Sequence, residues 1–367
     1  MTRVMHVISG LDTGGAEAFL VQLATALKQR GFSQDVVSVT GAGAHAAALL
    51  AAGIPVHSLN VGSLAGAMAA VGRLAALVRK TRPDVMQGWM YYGDLFAALA
   101  NRVVPGKRRL YWNLRASDTI AGGYGRLVRI NARLSAWPDL VIANSRTGLD
   151  FHLNHGYRPR HSDIIPNGVN TGRFRPDPAD RTALRAEFGL PDDAIVAIHV
   201  ARLNPMKDHA SFLTAMRALP HLHGLLVGAG TETLERPDNV LALGLRTDIE
   251  RLYRCADIVV SSSAFAEGFS NVLAEGMSSG LIPVATDVGD ARLIVGDAGR
   301  VVPIRDPGAL ALALAAEAAH PDRAERQAAA RSRVVENFTL DRAVDRFAAR
   351  YQQGSNPAAL QLRDQNG

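Results

Sequence analysis

The chain has 367 residues, of which 48% are hydrophobic and 20% charged, so it is typical of a globular protein with two domains rather than one. Its single cysteine, Cys255, excludes an intrachain disulfide and argues against a zinc cluster. The net charge of +6 permits anionic partners, but we expect no nucleic-acid partner, signal peptide or membrane-spanning helix, because the corresponding sequence patterns are missing.

The first half of the chain alternates short apolar runs with helical patterns, which predicts a parallel α/β sheet. The clearest helix begins at Gly15. Apolar residues from Ala16 to Leu27 recur on one of its faces, and Gly31 is a natural stop. The predicted strands of this half are residues 4–8, 35–39, 55–59, 85–87, 110–113, 140–143 and 163–165.

Proline, glycine and asparagine cluster in residues 166–178, which indicates a linker before a second α/β series. We therefore predict two doubly wound domains, residues 1–170 and 171–337. A final helix within residues 338–352 is assigned to the first domain, and residues 353–367 form a polar tail. The predicted strands of the second half are residues 195–200, 225–228, 240–243, 258–261 and 282–285.

The most informative segment contains two acidic residues, Glu267 and Glu275, on either side of a predicted helix start. Ser270 is a suitable N-cap, so the first backbone N–H groups of the helix could hold a phosphate over residues 270–272. Carboxylates on both sides of a bound diphosphate would bind sugar hydroxyls. This arrangement favours a nucleotide-sugar site.

Two cations, Arg202 and Lys207, follow the first strand of the second half. They could clamp a diphosphate and neutralise charge on a leaving group, although an isolated pair of this kind can also be a solvated surface pair. Their position after a strand favours the diphosphate site over the solvated pair. Gly244 and Arg246 follow another strand and predict either a close approach to a nucleobase or an ordinary turn.

Glycines and aromatic residues suggest further contacts in the first half. Gly14 and Gly15 follow the first strand and could approach a phosphate, or could form only a tight turn, and their spacing is not that of a dinucleotide-binding motif. Trp89 and Tyr92 follow another strand and could stack on a sugar or pack between the domains.

Other charged and titratable residues have mainly structural interpretations. His6, His57 and His199 are expected to lie in the core or at a strand edge. Three arginines at helical spacing predict a basic face that either contacts a membrane surface or is solvated, and they are Arg126, Arg129 and Arg133.

In their order and spacing, these motifs resemble the family 4 retaining glycosyltransferases (glycosyl transferases group 1). The resemblance extends over nearly the whole chain, and its strongest part is the Glu267 to Glu275 segment. It implies the GT-B fold, in which two Rossmann-like domains face a central cleft. The first domain would bind the acceptor and the second the nucleotide-sugar donor. Further matching segments are residues 144–145, 156–157 and 165–170, together with Phe174.

The resemblance also implies roles for individual residues. Arg202 and Lys207 would hold the diphosphate, Glu267 would contact the transferred sugar, and Glu275 would contact the ribose. Arg115 takes the place of a histidine that many family members carry, so we expect it to bind an acceptor or donor phosphate. The remaining donor-binding residues would be Gly14, Gly15, Arg246, Phe269, Ser270, Asn271 and Val272.

The expected function is therefore a metal-independent, retaining hexosyl transfer from a UDP- or GDP-sugar to a polysaccharide, lipopolysaccharide or glycolipid acceptor. The nucleotide-sugar is a co-substrate, and no other cofactor is expected. A cytoplasmic protein with peripheral contact to the membrane face would fit a lipid-linked acceptor. Two alternatives stay open, a nucleotide-sugar epimerase of the same fold and a non-catalytic carbohydrate-binding relative.

Overall fold

In a computed structural model, residues 1–12, 14–115 and 124–353 are described, and they form two compact units. Unit 1 comprises Met1–Gly168 and the chain from Leu340 onward, and unit 2 comprises Val169–Thr339. Each unit is built on one parallel sheet with helices on its faces, so the predicted pair of doubly wound α/β domains is confirmed. Residues 354–367, in the predicted polar tail, lie outside the described residues.

The sheet of unit 1 has seven described strands in the order β3-β2-β1-β4-β5-β6-β7, and neighbouring strands are parallel. The order reverses between β1 and β4, which creates the crevice at the carboxyl edge where such sheets bind ligands. Every strand predicted for this half is present. The strands are β1 (Arg3–Ile8), β2 (Ser33–Ser38), β3 (Val56–Ser58), β4 (Val85–Trp89), β5 (Arg109–Leu114), β6 (Leu140–Ala143) and β7 (Ser162–Ile164).

The helices of unit 1 pack against this sheet and against one another. The first helix has the predicted buried face, which includes Phe19 and Leu27, and Gly31 follows its end with a positive φ of 84°. The last helix packs on the first, and the ring centroids of Phe347 and Phe19 are 6.1 Å apart. The helices are α1 (Gly15–Gln29), α2 (Ala46–Ala51), α3 (Leu64–Thr81), α4 (Met90–Val103), α5 (Gly125–Leu134), α6 (Arg146–Asn154) and α14 (Leu340–Gln352).

The sheet of unit 2 has six described strands in the order β10-β9-β8-β11-β12-β13. Five of them were predicted. The sixth was missed because it is only three residues long, and its first residue, Arg300, is exposed, so it has no apolar run. The strands are β8 (Val196–Val200), β9 (His223–Val227), β10 (Val240–Gly244), β11 (Ile258–Ser261), β12 (Ile282–Thr286) and β13 (Arg300–Val302).

The helices of unit 2 cover both faces of its sheet, and the loops that concern the site lie at the carboxyl ends of β8, β11 and β12. No helix in the described ranges is long and apolar enough to cross a membrane. The helices are α7 (Pro178–Glu187), α8 (His209–Arg217), α9 (Ile249–Cys255), α10 (Asn271–Ser278), α11 (Ala291–Val295), α12 (Pro307–Ala318) and α13 (Arg323–Asn337).

Candidate functional site

The loop after β8 carries Lys207 in a fixed backbone conformation. Asp208 adopts a left-handed conformation with φ 44° and caps α8, and its carboxylate accepts a 2.6 Å hydrogen bond from the hydroxyl of Ser211. Directly after the neighbouring strand β11, the hydroxyl of Ser262 donates to the carbonyl of Lys207 at 2.9 Å. The side chain of Lys207 therefore starts from a backbone that is held on both sides.

Lys207 and Glu267 meet in the structure. The Lys207 ammonium is ion-paired with Oε1 of Glu267, and the hydroxyl of Ser263 donates to the same oxygen at 2.8 Å. Both side chains are largely buried, with 20% exposure for Lys207 and 13% for Glu267. Ala266, directly before Glu267, has a φ of 62°, a conformation that costs a non-glycine residue free energy and is common at functional sites.

The turn after β12 supports the backbone of Glu267. Gly289 has a φ of 63°, and a Cβ atom at this position would lie 2.6 Å from the carbonyl oxygen of Glu267 and 2.5 Å from that of Gly268. The N–H of Asp290 donates to the carbonyl of Gly268 at 3.0 Å. Only glycine fits at position 289. The sequence analysis did not single it out, although a glycine soon after a strand was the available signal.

The N-terminus of α10 follows Glu267 directly. Ser270 is its N-cap, and its hydroxyl accepts a hydrogen bond from the N–H of Leu273 at 3.5 Å, which confirms the predicted cap. The ring of Phe269 is buried and packs against Phe338, with the two ring centroids 5.4 Å apart. Any ligand contact of Phe269 is therefore a backbone contact. Asn271 and Val272 provide the first two helical residues.

Glu275 lies one turn into α10. Burial raises the pKa of its carboxyl to about 7, while the positive charge of Arg173 acts in the opposite direction. Tyr253 lies beside it, and its hydroxyl donates to the carbonyl of Val272 at 3.4 Å. A carboxyl with this pKa exists in both protonation states near neutral pH, so it can accept or donate a hydrogen bond to a hydroxyl.

Arg202 is exposed at the same edge of the sheet, and among the described residues it has no carboxylate within 4.0 Å. Its backbone is approached closely by the end of β9. A Cβ atom at Gly228 would lie 2.1 Å from the carbonyl oxygen of Ala201 and 2.7 Å from the nitrogen of Arg202. Arg202 is therefore a cation whose guanidinium is available to an anionic ligand.

Arg246, in contrast, is already engaged. Its guanidinium binds both carboxylate oxygens of Asp248, at 2.8 Å and 2.7 Å. This pairing raises the pKa of Arg246 and lowers that of Asp248. Leu245, which directly precedes Arg246, is 73% exposed, and Gly244 has a φ of 62°. The sequence analysis missed Asp248, which is two residues from Arg246 and could have been recognised as a local partner.

In unit 1, Gly14 and Gly15 lie at the start of α1, as expected. Gly14 is the N-cap, and a Cβ atom there would lie only 2.2 Å from Oε2 of Glu17. The carboxylate of Glu17 thus folds back over the helix N-terminus, and burial raises its pKa. A bound phosphate at this helix end would have to share the position with Glu17. Thr13 lies outside the described residues.

Arg115 faces the core of unit 1. Its guanidinium lies 4.0 Å from the centroid of the Phe19 ring, and its Nε donates to the side chain of Asn113 at 3.1 Å. Nη1 donates to Asn167, and Nη2 has no hydrogen-bond partner in the described part of the chain. Burial lowers the pKa of Arg115 to about 9, so the group stays cationic at neutral pH. Its expected phosphate contact can involve only Nη2.

Trp89 requires a correction. Its ring is fully buried, and its indole N–H donates to Nδ1 of His6 at 3.1 Å, so no face of the ring is left for a sugar. It lies in the core because Phe19 of α1 and Phe347 of α14 pack against its ring, each with a centroid 6.3 Å away. Tyr92 is 42% exposed and lies beside Tyr124, so it keeps a surface that a ligand could contact.

The structural interpretations of the histidines are confirmed. Burial lowers the pKa of His6 to about 4 and that of His199 to about 3. His57 lies on the edge strand β3 and is hydrogen-bonded to Asp35 at 2.9 Å. None of the three lies in the Lys207–Glu267 cluster.

Helix α5 carries the predicted basic face. Leu127 is buried, whereas Ile130 is 42% exposed. The three arginines are all exposed, and they are Arg126, Arg129 and Arg133. Within the described ranges there is no group of three or more His, Cys, Asp or Glu side chains arranged to hold a metal ion.

Two family models match the chain. Glycosyltransferase Family 4 matches residues 13–173, and Glycosyl transferases group 1 matches residues 194–318. A D-inositol 3-phosphate glycosyltransferase of Segniliparus rotundus is 29% identical over 62% of this chain and 55% of its own length. The chain thus spans about half of this relative. The corresponding protein of Streptomyces coelicolor is 26% identical over 100% of this chain and 93% of its own length.

Solved structures show the same fold. The crystal structure of Anabaena Alr3699/HepE in complex with UDP has a TM-score of 0.85 and 22% identity, and the match covers 95% of this chain and 99% of that one. The same protein has been solved in complex with UDP-glucose, with a TM-score of 0.83. The α/β fold of the chain is therefore the GT-B fold.

Proposed function

Because the chain belongs to the family 4, group 1 glycosyltransferases, we propose that it transfers a hexosyl group from a UDP- or GDP-sugar to a polysaccharide or glycolipid acceptor. The observation that carries this proposal is the Lys207–Glu267 pair directly before the N-terminus of α10. It places a cation, a carboxylate and the N-terminus of a helix at one carboxyl edge of the sheet, and together these groups suit a sugar diphosphate.

The diphosphate would be held by the N–H groups that begin α10, with Lys207 and Arg202 as counter-charges. An ammonium group has three protons, so Lys207 can bind Glu267 and a phosphate oxygen together. The Arg202 guanidinium is suited to a bidentate phosphate contact. Two cations in this position stabilise the charge that develops on the leaving diphosphate, so this mechanism needs no metal ion.

The proposed transfer proceeds with retention on one face of the sugar. The bond between the anomeric carbon and the phosphate oxygen breaks, and its electron pair stays on the diphosphate. The acceptor oxygen forms the new bond from the same face, and its proton passes to the released phosphate oxygen. Glu267 would orient the sugar by accepting hydroxyl hydrogen bonds, and Lys207 and Ser263 hold its carboxylate in place.

The donor and acceptor assignments rest on different observations. The complexes of Anabaena Alr3699/HepE with UDP and UDP-glucose support a uridine donor, and a guanosine donor is the alternative. Glu275 would bind the ribose, and the backbone around Leu245 would contact the base. Unit 1 would bind the acceptor, with Tyr92 as an exposed contact. A cytoplasmic location with peripheral membrane contact fits a lipid-linked acceptor and the basic face of α5.

The test is calorimetric titration of the wild type and of Lys207→Ala with UDP, GDP and their glucose derivatives in EDTA. Binding of one nucleotide series by the wild type, weakened in the variant, supports a metal-independent donor site and identifies the base. Absence of binding by every nucleotide would contradict the proposal and favour a non-catalytic relative. Nucleotide release without acceptor would favour the epimerase instead, and the anomeric configuration of an isolated product tests retention.

A further inference from the structure

A cavity of about 800 Å³ opens at the amino edge of the unit 2 sheet. Asp257, which lines it, directly precedes β11, and Ser279 and Gly280 line it between the end of α10 and the start of β12. Since β8 runs parallel to β11, Lys207 after the end of β8 lies at the opposite edge. The cavity is therefore separate from the candidate donor site.

The lining of this cavity is positively charged, with four arginines and two aspartates. Two of the arginines have carboxylate partners. Arg181 pairs with Asp257 at 2.7 Å, and Arg254 pairs with Asp180. These two ion pairs neutralise one side of the cavity and hold α7 against the end of α9.

The other two arginines, Arg323 and Arg331, have no carboxylate within 4.0 Å in the part of the chain that is described. Arg323 donates to the carbonyl of Ala318 at 2.9 Å through one nitrogen. Arg331 is bound only by backbone carbonyls, including that of Phe174 at 3.2 Å. Burial, together with the nearby charge of Arg175, lowers the pKa of Arg331. This side of the cavity therefore carries positive charge that no acidic side chain compensates.

The spacing of these two arginines on α13 favours a phosphate ligand. Arg323, Gln327 and Arg331 follow one another at intervals of four residues, so they share one face of the helix, and all three line the cavity. The N-terminus of α13 adds backbone N–H groups to which the side chain of Asp322, the N-cap residue, makes no hydrogen bond. Planar guanidinium groups and helix N–H groups are the donors that proteins use for phosphate.

We propose that this cavity is a second anion site, which binds a phosphorylated small molecule through Arg323, Gln327 and Arg331. Its volume lies within the range of about 300–1,000 Å³ that is usual for small-molecule sites. The proposal does not depend on the transferase function, because no residue of the cavity belongs to the donor site.

The test is a calorimetric titration with inorganic pyrophosphate in a Lys207→Ala background, which weakens phosphate binding at the donor site. Gln327→Glu places a carboxylate between the two arginines, and Arg323→Gln removes one of them. Each change is expected to weaken pyrophosphate binding by about tenfold or more, the effect of one charge-assisted hydrogen bond. Arg217→Gln, at the exposed end of α8, is the matched control and should leave the affinity unchanged.

The outcomes separate this proposal from the donor site. Absence of pyrophosphate binding by Lys207→Ala, or equal affinity with and without Gln327→Glu and Arg323→Gln, would overturn it while leaving UDP binding by the wild type untouched. A second arm compares flotation with phosphatidylglycerol and phosphatidylcholine vesicles. If the protein binds pyrophosphate and Gln327→Glu does not change its flotation, the ligand of the cavity is a free phosphorylated molecule. If Gln327→Glu floats less with anionic vesicles than the parent protein does, the ligand is a lipid phosphate.

Discussion

Lys207 and Glu267 are ion-paired although they lie 60 residues apart in the chain, and Ser263 donates to the same carboxylate oxygen. The pair joins the loop after β8 to the segment before α10. A cation suited to a diphosphate and a carboxylate suited to a sugar are thereby held next to each other by contacts within the protein. Such preorganisation is the main source of electrostatic stabilisation in enzyme sites.

We predict that Lys207→Gln lowers kcat by about two orders of magnitude, because it removes the charge that we propose stabilises the leaving diphosphate. The free energy of unfolding should also fall, by up to about 3 kcal/mol, because the largely buried carboxylate of Glu267 keeps the hydrogen bond from Ser263 but loses its cation. Initial rates with the identified donor sugar and thermal unfolding measure the two effects. Lys107→Gln, an exposed lysine in unit 1, is the control. Unchanged kcat in Lys207→Gln would refute the role of this cation in the chemical step.

Glu275 predicts a pH dependence of stability. Its folded-state pKa is raised from 4.5 to about 7, so the folded state binds more protons than the unfolded state between these values. The free energy of unfolding therefore falls as the pH rises through this window, by at most about 3 kcal/mol. Glu275→Gln should remove this dependence and gain stability relative to the wild type from pH 5 to pH 8.

Urea denaturation at both ends of that window measures the effect. The matched control is Glu336→Gln. Because Glu336 is exposed on α13, its substitution should leave the pH dependence of the free energy of unfolding as it is in the wild type. If the free energy of unfolding changes with pH in the same way for Glu275→Gln and the wild type, the carboxyl of Glu275 titrates normally in the folded protein and the prediction is wrong.

Local patterns in the sequence were sufficient to predict the start of α10 and the acidic residues around it. The Ser270 cap and the two flanking glutamates are readable because a helix start and its acidic neighbours are determined within a few residues. The meeting of Glu267 with Lys207 required the order of the strands, since parallel β8 and β11 bring their carboxyl ends together. The two-domain fold followed from the alternation of strands and helices.

Side-chain partners were less predictable. Arg246 was expected to contact the donor, yet it forms a bidentate pair with Asp248. Trp89 was expected to stack on a sugar or to pack between the domains, but its ring is buried within unit 1 against α1 and α14. Helix α14 lies more than two hundred residues away in sequence. Such contacts depend on tertiary packing. The sequence indicates an apolar or charged residue at these positions but not which neighbour it contacts.

Arg202 and Arg246 should therefore differ in their effect on donor binding. Arg202→Ala removes a cation without a carboxylate partner in the described residues and should raise the Kd for the nucleotide diphosphate by about tenfold or more. Arg246→Ala should raise it less, because that guanidinium is engaged by Asp248. Calorimetric titration measures both. A larger effect of Arg246→Ala would mean that the Arg246–Asp248 pair opens when the donor binds.

Arg115 combines a structural and a functional prediction. Arg115→Ala should lower the free energy of unfolding by about 2 kcal/mol, because Asn113 loses a donor and the face of Phe19 loses its contact. Arg115→Met keeps the contact with the ring and should be less destabilised. If Nη2 binds a phosphate, both variants have altered donor or acceptor kinetics. Unchanged kinetics in the stable Arg115→Met variant would contradict the phosphate role.

The basic face of α5 predicts binding to anionic membranes. Changing Arg126, Arg129 and Arg133 together to glutamine should lower partitioning to phosphatidylglycerol vesicles by about a hundredfold, at roughly 1 kcal/mol for each charge near the surface. Exposed Ile130 between them adds an apolar contact that these substitutions leave intact. The effect should weaken as salt is added, because exposed charges are screened.

The control for this prediction removes the same charge elsewhere in unit 1, through glutamine at the exposed positions Arg79, Lys80 and Arg102. Flotation of the two triple variants with phosphatidylglycerol and phosphatidylcholine vesicles separates a localised surface from net charge. Equal loss in both variants would mean that the net charge of +6 drives the attraction and that α5 is simply solvated. A loss confined to the α5 variant would place the membrane contact on this helix, in the unit proposed to bind the acceptor.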